Sequence, residues 1–371
     1  MLIRAVRDAD AVLRGQLSSI VLGDDRHAAV GLFDSSGAAL AVSRPPWMPS
    51  LAATVLHLLE AFGGSLQPGD IAVTNDPYGG GTHVNDLTIV RPEASGAGYL
   101  AARFHMADIG GEHLGGVWPA ATDVWQEGAR LVPMRLQRAG RQDRDVRTLL
   151  DLNSRLPDLL HGDLAAAAGA LDHLDAAIAD GGVPADEFLA TARAAVAERL
   201  AGLRPGSWTT AARVRHCCSG LDAGFELRLT VSDGRLRFDF PDEPDGVEAF
   251  VNSPEGTTRS ALLAPLAVSL DDLACNAALL EAVDIMTRPG SLFHARRPLP
   301  TAYAPYITAG RLAHAAAELL HRAGLDDEEF AHWFALPARV FALPACGDRN
   351  CPFARFDVDT HHTRYASEAR K

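Results

Sequence analysis

The chain has 371 residues, of which 47% are hydrophobic and 22% charged, as is ordinary for a folded globular protein. Its formal net charge of −13 argues against nucleic acid or an anionic membrane surface as the main partner. The only lysine is Lys371, which excludes a P-loop lysine and a Schiff-base lysine within the folded part.

The start of the chain and its cysteines favour a cytoplasmic protein. Residues 1–8 read MLIRAVRD and lack the apolar segment of a signal peptide. No run of about 18 apolar residues predicts a membrane span, so we expect no membrane partner. The five cysteines are few and odd in number, which is typical of reduced thiols rather than of a disulfide framework.

The N-terminal part alternates helices with short strands. A helix is predicted up to about Leu22, and a hairpin over 28–42 that turns at Ser35-Ser36-Gly37. Helical spacing of apolar residues predicts a helix over 51–62, which stops at Gly63-Gly64. Further strands are predicted at 71–74, 87–90 and 99–105. We interpret residues 1–146 as one β-rich domain.

The rest of the chain changes character. Apolar residues at helical spacing predict an antiparallel helical pair within 147–203, divided by glycines at 181 and 182. Alternating apolar residues over 225–240 predict a β-hairpin. Helices near 258–270 and 308–323 complete a second α+β domain at 204–345, and an irregular tail is expected at 346–371. The predicted fold class is therefore mixed α and β (α+β).

Histidines, carboxylates and glycines are concentrated between residues 75 and 130. The acidic and histidine side chains are Asp76, His83, Asp86, His105, Asp108, Glu112, His113, Asp123 and Glu127. Imidazole and carboxylate together suit Zn, Mn or Fe, and two histidines with one carboxylate can form a facial site. The alternative interpretation is that these are polar loop residues among turn glycines.

Two long motifs in this stretch resemble the signature of the hydantoinase B/5-oxoprolinase/acetone carboxylase α-subunit family. Residues 74–86 contain TNDPY and GGTHVND, similar to NDPY…GGTHxxD, and residues 105–111 read HMADIGG, similar to HHADIGG. QEGAR at 126–130 is similar to QEGVR. Shorter matches follow in the family's order at Asn153, Arg155, 162–164, 252–254, 258–260 and 289–292.

The resemblance implies a set of site residues. In the acetone carboxylase branch the matching positions hold a divalent metal, typically Mn, so His83, Asp86 and His105 are the expected ligands of Mn, Zn or Fe. Catalytic roles are expected for Asp108, Glu127 and Arg130, with Asp108 or Glu127 as the general base. Substrate contacts are expected from the neighbouring motif residues Asp76, Tyr78, Gly110 and Gly111.

The resemblance also implies an activity. We expect metal-dependent hydrolysis of a small cyclic amide, such as a hydantoin, a lactam or oxoproline. ATP would be used by a separate hydantoinase A-like subunit within an oligomer, and this chain itself is expected to bind no ATP. The first alternative is a metal-dependent carboxylase or decarboxylase, and the second is a degenerate, non-catalytic subunit.

The chain also departs from the family pattern. Met106 stands where the family motif has its second histidine, and residues 43–53 lack the histidines of the corresponding family segment. The match ends shortly before the chain does, so the sequence resembles a shortened member. Cys346 and Cys351, with His361-His362, have loose zinc-site spacing, and we expect them not to form the functional metal centre.

Overall fold

The computed structural model describes residues 1–19, 27–179, 184–216, 218–270 and 275–325. The predicted tail at 346–371, with Cys346 and Cys351, lies outside these ranges, as does the end of the predicted 204–345 domain. Helices and sheets both contribute to the fold, which confirms the predicted mixed α and β class. None of the described helices is both long enough and apolar enough to cross a membrane.

A seven-stranded antiparallel sheet forms the centre of the N-terminal part. Its strands are β1 (Ala28–Asp34), β2 (Ala39–Val42), β3 (Ile71–Thr74), β4 (Asp86–Pro92), β5 (Gly98–His105), β6 (Met134–Arg138) and β7 (Arg141–Gln142). They lie in the order β2-β1-β5-β4-β3-β6-β7. The predicted hairpin and the three predicted strands are confirmed, and strands β4 and β5, which carry two motifs, are central neighbours.

Helices cover both faces of this sheet. The helices of this region are α1 (Leu2–Gln16), α2 (Met48–Phe62), α3 (Arg144–Leu152) and α4 (Pro157–Ile178). Successive residues of a strand point to opposite faces. Leu87 and Phe104 accordingly pack with α1 and α4, whereas Val90 and Ala101 pack with α2. Asp86 and His105 lie on the same face of the sheet as Val90 and Ala101, the face that packs with α2.

A four-stranded sheet organises the second part. It contains β8 (Gly206–His216), β9 (Leu221–Ser232), β10 (Arg235–Asp242) and β11 (Val283–Ile285), in the order β11-β10-β9-β8, with β11 parallel to β10. Its helices are α5 (Ala185–Ala201), α6 (Glu255–Ser269), α7 (Ala277–Ala282) and α8 (Thr308–Arg322). The predicted hairpin and the helices that begin near 258 and 308 are confirmed.

The two helices predicted to pair with each other have different main partners. Helix α4 packs on α1 and β5, and α5 packs on α7 and β2. Leu171 and Leu174 of α4 join the core beneath the first sheet, and Phe188 and Leu189 of α5 reach this core as well. Val196 and Leu200 of α5 join the core of the second part. Helix α5 therefore contributes to both cores, and the division of the chain at 147 and 203 stays a prediction.

The glycine turn before the first candidate ligand is wedged between two helices. Gly80 has φ +93°, and a Cβ there would lie 2.5 Å from the carbonyl carbon of Ala53 in α2. A Cβ on Gly256, in the first turn of α6, would lie 2.3 Å from the Gly80 carbonyl oxygen. Only glycine fits such close backbone approaches. The second part of the chain thus reaches the GGTH motif directly.

Candidate metal centre

Three predicted ligands converge at one end of the central strands. His83 lies in the turn that precedes β4, Asp86 is the first residue of β4, and His105 is the last residue of β5. Asp86 and His105 are direct partners in the antiparallel register. One ligand atom from each of the three side chains lies within 4.8 Å of the others. The structure therefore brings together residues separated by 22 positions in the sequence.

The Asp86 carboxylate lies between the two histidine rings of the cluster. Asp86 Oδ2 lies 3.1 Å from His83 Nδ1, and Asp86 Oδ1 lies 3.2 Å from His105 Nδ1. The hydroxyl of Thr82 also donates to Asp86 Oδ2. All three candidate ligands are buried, with relative exposures of 2% for His83, 3% for Asp86 and 6% for His105. The cluster is thus shielded from bulk water and held by Thr82.

Three polar atoms of the cluster have no hydrogen-bond partner among the described residues. They are His83 Nε2, Asp86 Oδ1 and His105 Nδ1. The 3.2 Å approach of Asp86 Oδ1 to His105 Nδ1 is close, but it lacks hydrogen-bond geometry. Buried polar groups are normally paired, and an orphaned one needs an explanation. Two imidazole nitrogens and one carboxylate oxygen are a donor set that fits Zn, Mn or Fe.

The expected protonation states suit this role. Burial alone would raise the pKa of Asp86, but the adjacent His83 and His105 more than offset it and hold that pKa well below its usual range. Burial lowers the pKa of His105. Asp86 is therefore ionised and His105 neutral at neutral pH, and metal ligation requires those forms.

A buried arginine lies beside the cluster. Arg103 is 0% exposed and precedes His105 by two positions in β5, so the two side chains share one face of the sheet. Burial lowers the pKa of Arg103 to about 10, and the charge of Asp86 opposes this change. The guanidinium therefore stays protonated at neutral pH. The sequence interpretation missed this residue, although its spacing from His105 in a predicted strand was the available signal.

The ring of His27 packs beside His105 and is itself flanked by Trp47 and Tyr306. His27, just before β1, accepts a backbone hydrogen bond from His105 through its carbonyl oxygen at 3.0 Å. The ring of His27 lies 6.1 Å from that of His105, 5.5 Å from Trp47 and 6.1 Å from Tyr306. Burial and the nearby His105 lower the pKa of His27 to about 4. The sequence interpretation missed all three, since nothing local in the sequence reveals that β1 neighbours β5.

Asp108, a predicted catalytic residue, is fully engaged by other groups. Arg155 binds its carboxylate through Nη2 at 2.7 Å and through the backbone N–H at 2.7 Å. The backbone N–H groups of Gly110 and Gly115 donate to it as well. Burial opposes ionisation, but these hydrogen bonds prevail and lower the pKa of Asp108. The contacts fix the loop that follows β5, and a catalytic role for Asp108 stays a prediction.

Glu127, the second candidate base, is turned toward the second part of the chain. Its carboxylate accepts the backbone N–H groups of Thr301 and Ala302 at 2.8 and 2.7 Å. The side chain is completely buried, and this burial raises its pKa to about 8 despite the two donors. A carboxyl group that titrates near neutral pH suits acid–base chemistry. The same hydrogen bonds also connect the N-terminal part of the chain to the second part.

The remaining charged candidates form a group of their own. Arg130 Nη1 donates to Asp76 Oδ2, and its guanidinium lies 6.0 Å from the centre of the Tyr78 ring. Asp76 Oδ1 accepts the backbone N–H of Tyr78 at 3.1 Å, and the Tyr78 hydroxyl donates to the Leu299 carbonyl at 2.6 Å. The structure thus joins Asp76, Tyr78 and Arg130 to each other and to the second part.

The two candidate glycines face backbone. Gly110 and Gly111 both have φ +81°. A Cβ on Gly110 would lie 3.0 Å from the Asn153 carbonyl oxygen, and one on Gly111 would lie 2.6 Å from the Gln126 carbonyl oxygen. Their described neighbours therefore explain why glycine is needed at both positions, and substrate contact at either of them stays a prediction.

Comparison with known proteins gives the family. The model of the family described as Hydantoinase B/oxoprolinase matches residues 1–351. The chain is 34% identical to 5-oxoprolinase PfmaA of Pestalotiopsis fici over 124 residues, which are 31% of this chain and 10% of that protein. It is 25% identical to 5-oxoprolinase 1 of Arabidopsis thaliana over 283 residues, which are 67% of this chain and 22% of that protein.

Two solved structures share the fold. The ATP-dependent caprolactamase from Pseudomonas jessenii has a TM-score of 0.79 and 24% identity, over 87% of this chain and 58% of that one. A nucleotide-free acetone carboxylase has a TM-score of 0.75 and 17% identity, over 87% of this chain and 46% of that one. The chain thus spans only part of each relative. Oxoprolinases and caprolactamase subunits act on cyclic amides. The match over most of its length shows that this chain belongs to the hydantoinase B/oxoprolinase family.

Proposed function

We propose that the chain catalyses metal-dependent hydrolysis of a small cyclic amide. The observation that carries the proposal is the convergence of His83, Asp86 and His105, whose orphaned buried atoms form a donor set for a divalent ion. Membership of a family that includes oxoprolinases supports the substrate class. The three side chains would hold Mn, Zn or Fe.

Each part of the centre has a chemical task in this proposal. A divalent ion supplies Lewis acidity, which polarises an amide carbonyl and makes water a stronger acid. The Thr82 hydroxyl fixes Asp86, and outer contacts of this kind orient ligands and tune a metal site. The rings of Trp47 and Tyr306, which pack against His27, would limit the access of water to the centre from that side.

The other predicted residues enter the proposal through their contacts. Asp108 and Glu127 hold the loops around the centre, because their carboxylates are engaged by Arg155 and by backbone N–H groups. Glu127 is the better candidate for a general base, since its pKa of about 8 lets it exchange a proton near neutral pH. Arg130 aligns the Asp76–Tyr78 turn, which would border the substrate together with Gly110 and Gly111.

We further propose that a separate ATPase subunit works with this chain in an oligomer. The matching caprolactamase is ATP-dependent and longer than this chain, which supports division of the reaction between several parts. At 24% and 17% identity, the likenesses to caprolactamase and to acetone carboxylase both concern the fold alone. The oxoprolinases among the relatives favour cyclic-amide hydrolysis over the carboxylase alternative. The complete ligand set speaks against a degenerate, non-catalytic subunit.

Metal analysis of purified protein tests the centre. Wild type is expected to carry about one divalent ion per chain, whereas His83→Ala, Asp86→Asn and His105→Ala should each fall well below that. His113→Ala is the matched control. That exposed histidine lies in the same stretch, its ring packs on the Trp118 ring at 5.1 Å, and its described hydrogen bonds are made by the backbone carbonyl, which the substitution keeps. Full occupancy in a His83→Ala/His105→Ala double variant would refute the centre.

A turnover assay tests the reaction. Hydantoin, 5-oxoproline and caprolactam are incubated with the metal-loaded chain, with and without a candidate ATPase subunit and ATP. Ring opening that depends on both the metal and the three ligand residues is the expected result. Bicarbonate-dependent product formation with no ring opening would instead favour the carboxylase alternative.

A further inference from the structure

The charges in and around the centre determine which class of ligand it attracts. We propose that the permanent positive charge of Arg103 makes the His83–Asp86–His105 centre selective for a small oxyanion, such as a carboxylate or phosphoryl group on the substrate. This inference rests on the proposed metal function. It adds a specificity-determining residue that acts through space, without touching the ligand.

Arg103 is a buried cation whose contacts are all neutral. Its Nε donates to Thr88 Oγ1 at 2.9 Å, Nη1 to Ser50 Oγ at 2.6 Å, and Nη2 to Thr54 Oγ1 at 2.6 Å. A further bond reaches the Ser50 carbonyl oxygen. Arginine is almost never fully buried unless it is paired with an acid. None of the described hydrogen-bond partners of Arg103 is a carboxylate, so its charge is not cancelled by contact.

The centre lies next to Arg103 on the same face of the sheet. Arg103 lies opposite Thr88 in the register, and the next pair along the same face is His105 with Asp86. Two residues along a strand span roughly 7 Å. Asp86 lies on this same face, opposite His105, and its Oδ1 is 3.2 Å from His105 Nδ1. A single acid thus faces both the guanidinium and the metal position.

Other acids near the motifs are already balanced. Asp108 is bound by Arg155, and Asp76 is bound by Arg130. Glu127 is turned to the backbone N–H groups of Thr301 and Ala302. With a divalent ion in place, the ion and Arg103 together carry three positive charges against the single negative charge of Asp86. Burial makes such an excess costly, and an anionic ligand would relieve it.

The experiment compares an anion with a neutral molecule of the same shape. The full chain is loaded with Mn²⁺, and the affinities of acetate, inorganic phosphate and acetamide are measured by calorimetry. Wild type should bind acetate or phosphate more than tenfold more tightly than acetamide, because the Mn²⁺ ion itself attracts an anion and Arg103 adds about tenfold, as expected for unit charges roughly 10 Å apart in a partly buried site. The tighter anion identifies whether a carboxylate or a phosphoryl group is the preferred source of the oxyanion.

Two variants assign the preference to the residue. Arg103→Gln keeps a donor for the Ser50 and Thr88 hydroxyls but removes the charge, so the acetate-to-acetamide affinity ratio should fall about tenfold. Arg103→Lys keeps the charge and should keep the ratio. The ratio is insensitive to a general loss of binding strength, which would weaken both molecules alike.

The outcomes separate this inference from the proposed function. A wild-type protein that takes up Mn²⁺ but binds acetate and acetamide equally would overturn the inference alone, without need of any variant. An unchanged ratio in folded Arg103→Gln would overturn it too. A wild-type protein that takes up no divalent ion would instead refute the proposed function, and the inference with it.

Discussion

Glu127 and Thr301 are 174 residues apart in the sequence, yet the Thr301 backbone N–H donates to both carboxylate oxygens of Glu127, at 2.8 and 2.9 Å. The Ala302 N–H adds a third bond at 2.7 Å. These contacts join the QEGAR loop of the N-terminal part to the segment that leads into α8. The ionisation of one buried carboxyl group is therefore coupled to the joint between the two parts.

The first prediction concerns the pH dependence of stability. Burial raises the pKa of Glu127 from its ordinary value of 4.5 to about 8 in the folded protein. Between these values the folded state binds more protons than the unfolded state, so the free energy of unfolding falls as the pH rises from 4.5 through 8. Glu127→Gln should flatten this decline, because its amide can donate to Thr301 Oγ1 while its oxygen accepts both N–H groups.

Thermal unfolding at several pH values from 5 to about 9 checks this coupling. Glu60→Gln is the control, since Glu60 is exposed near the end of α2 and its substitution should leave the slope unchanged. A Glu127→Gln variant that keeps the wild-type slope would show that another group titrates.

The second prediction concerns the ion pair between Arg155 and Asp108, which lies in the loop after β5. Arg155→Met removes the side-chain partner of Asp108, whose carboxylate is buried, and leaves that carboxylate only backbone donors. Because the Arg155 side chain is 42% exposed, we expect a loss of about 2 kcal/mol, below the cost for a fully buried pair.

Urea unfolding measures the loss, and Arg213→Met serves as the control. Arg213 pairs with Asp222 at 2.7 Å, but both side chains are about half exposed, so no measurable change is expected there. Equal losses of unfolding free energy in the two variants would show that the Arg155–Asp108 ion pair stabilises the protein no more than an exposed pair does.

The third prediction separates backbone strain from crowding. Gly111→Ala places a Cβ 2.6 Å from the Gln126 carbonyl oxygen at φ +81°, whereas Gly96→Ala has a similar φ of +75° with open space around it. Gly96→Ala should cost only the left-handed strain, about 1–2 kcal/mol. Gly111→Ala should cost about 3 kcal/mol or more, because backbone must move as well. Equal losses of unfolding free energy for Gly111→Ala and Gly96→Ala, measured with urea, would show that crowding at Gly111 adds nothing to the backbone strain.

The fourth prediction is that this chain alone neither binds nor hydrolyses ATP. Phosphoryl transfer relies on positioned cationic groups and Mg²⁺ around the phosphates, and the only lysine is Lys371. The glycines at 79–81 are explained by crowding. A Cβ on Gly79 would meet the His57 ring of α2, one on Gly80 would meet the backbone of α2, and one on Gly81 would meet the Asp76 carbonyl oxygen. Calorimetric titration with Mg-ATP should give no heat of binding, and micromolar affinity would contradict the prediction.

Local patterns predicted the elements on which the ligands lie. The alternation in 99–105 gave β5, and the apolar run at 71–74 gave β3. Strand β6 was not predicted, because MRLQR has a single buried residue, Leu136, and reads as polar surface. Its assignment depends on pairing with β3, which is a tertiary contact and leaves no local trace.

The candidate site divides in the same way. The motifs identified His83, Asp86 and His105, and the structure brings these three together. They also suggested Asp108 and Arg130 as catalytic residues. A motif shows that a position requires a particular residue, but it does not show which contact makes that residue necessary. Arg155 and Asp76 supply those contacts here. His27 and Tyr306 could not be found, since strand order places His27 beside His105 and the docking of the second part places Tyr306 against His27.

The hairpin formed by β4 and β5 has a consequence for how this protein can vary. Asp86 and His105 lie at its open end, while the turn at 93–97 lies at the opposite end. Lengthening that turn leaves the ladder between them intact, so insertions there should be tolerated. Deleting one residue inside either strand would instead move every later side chain to the other face of the sheet, and Asp86 and His105 would no longer lie side by side. The turn is therefore the natural place to attach a fluorophore or an affinity tag without disturbing the ligands.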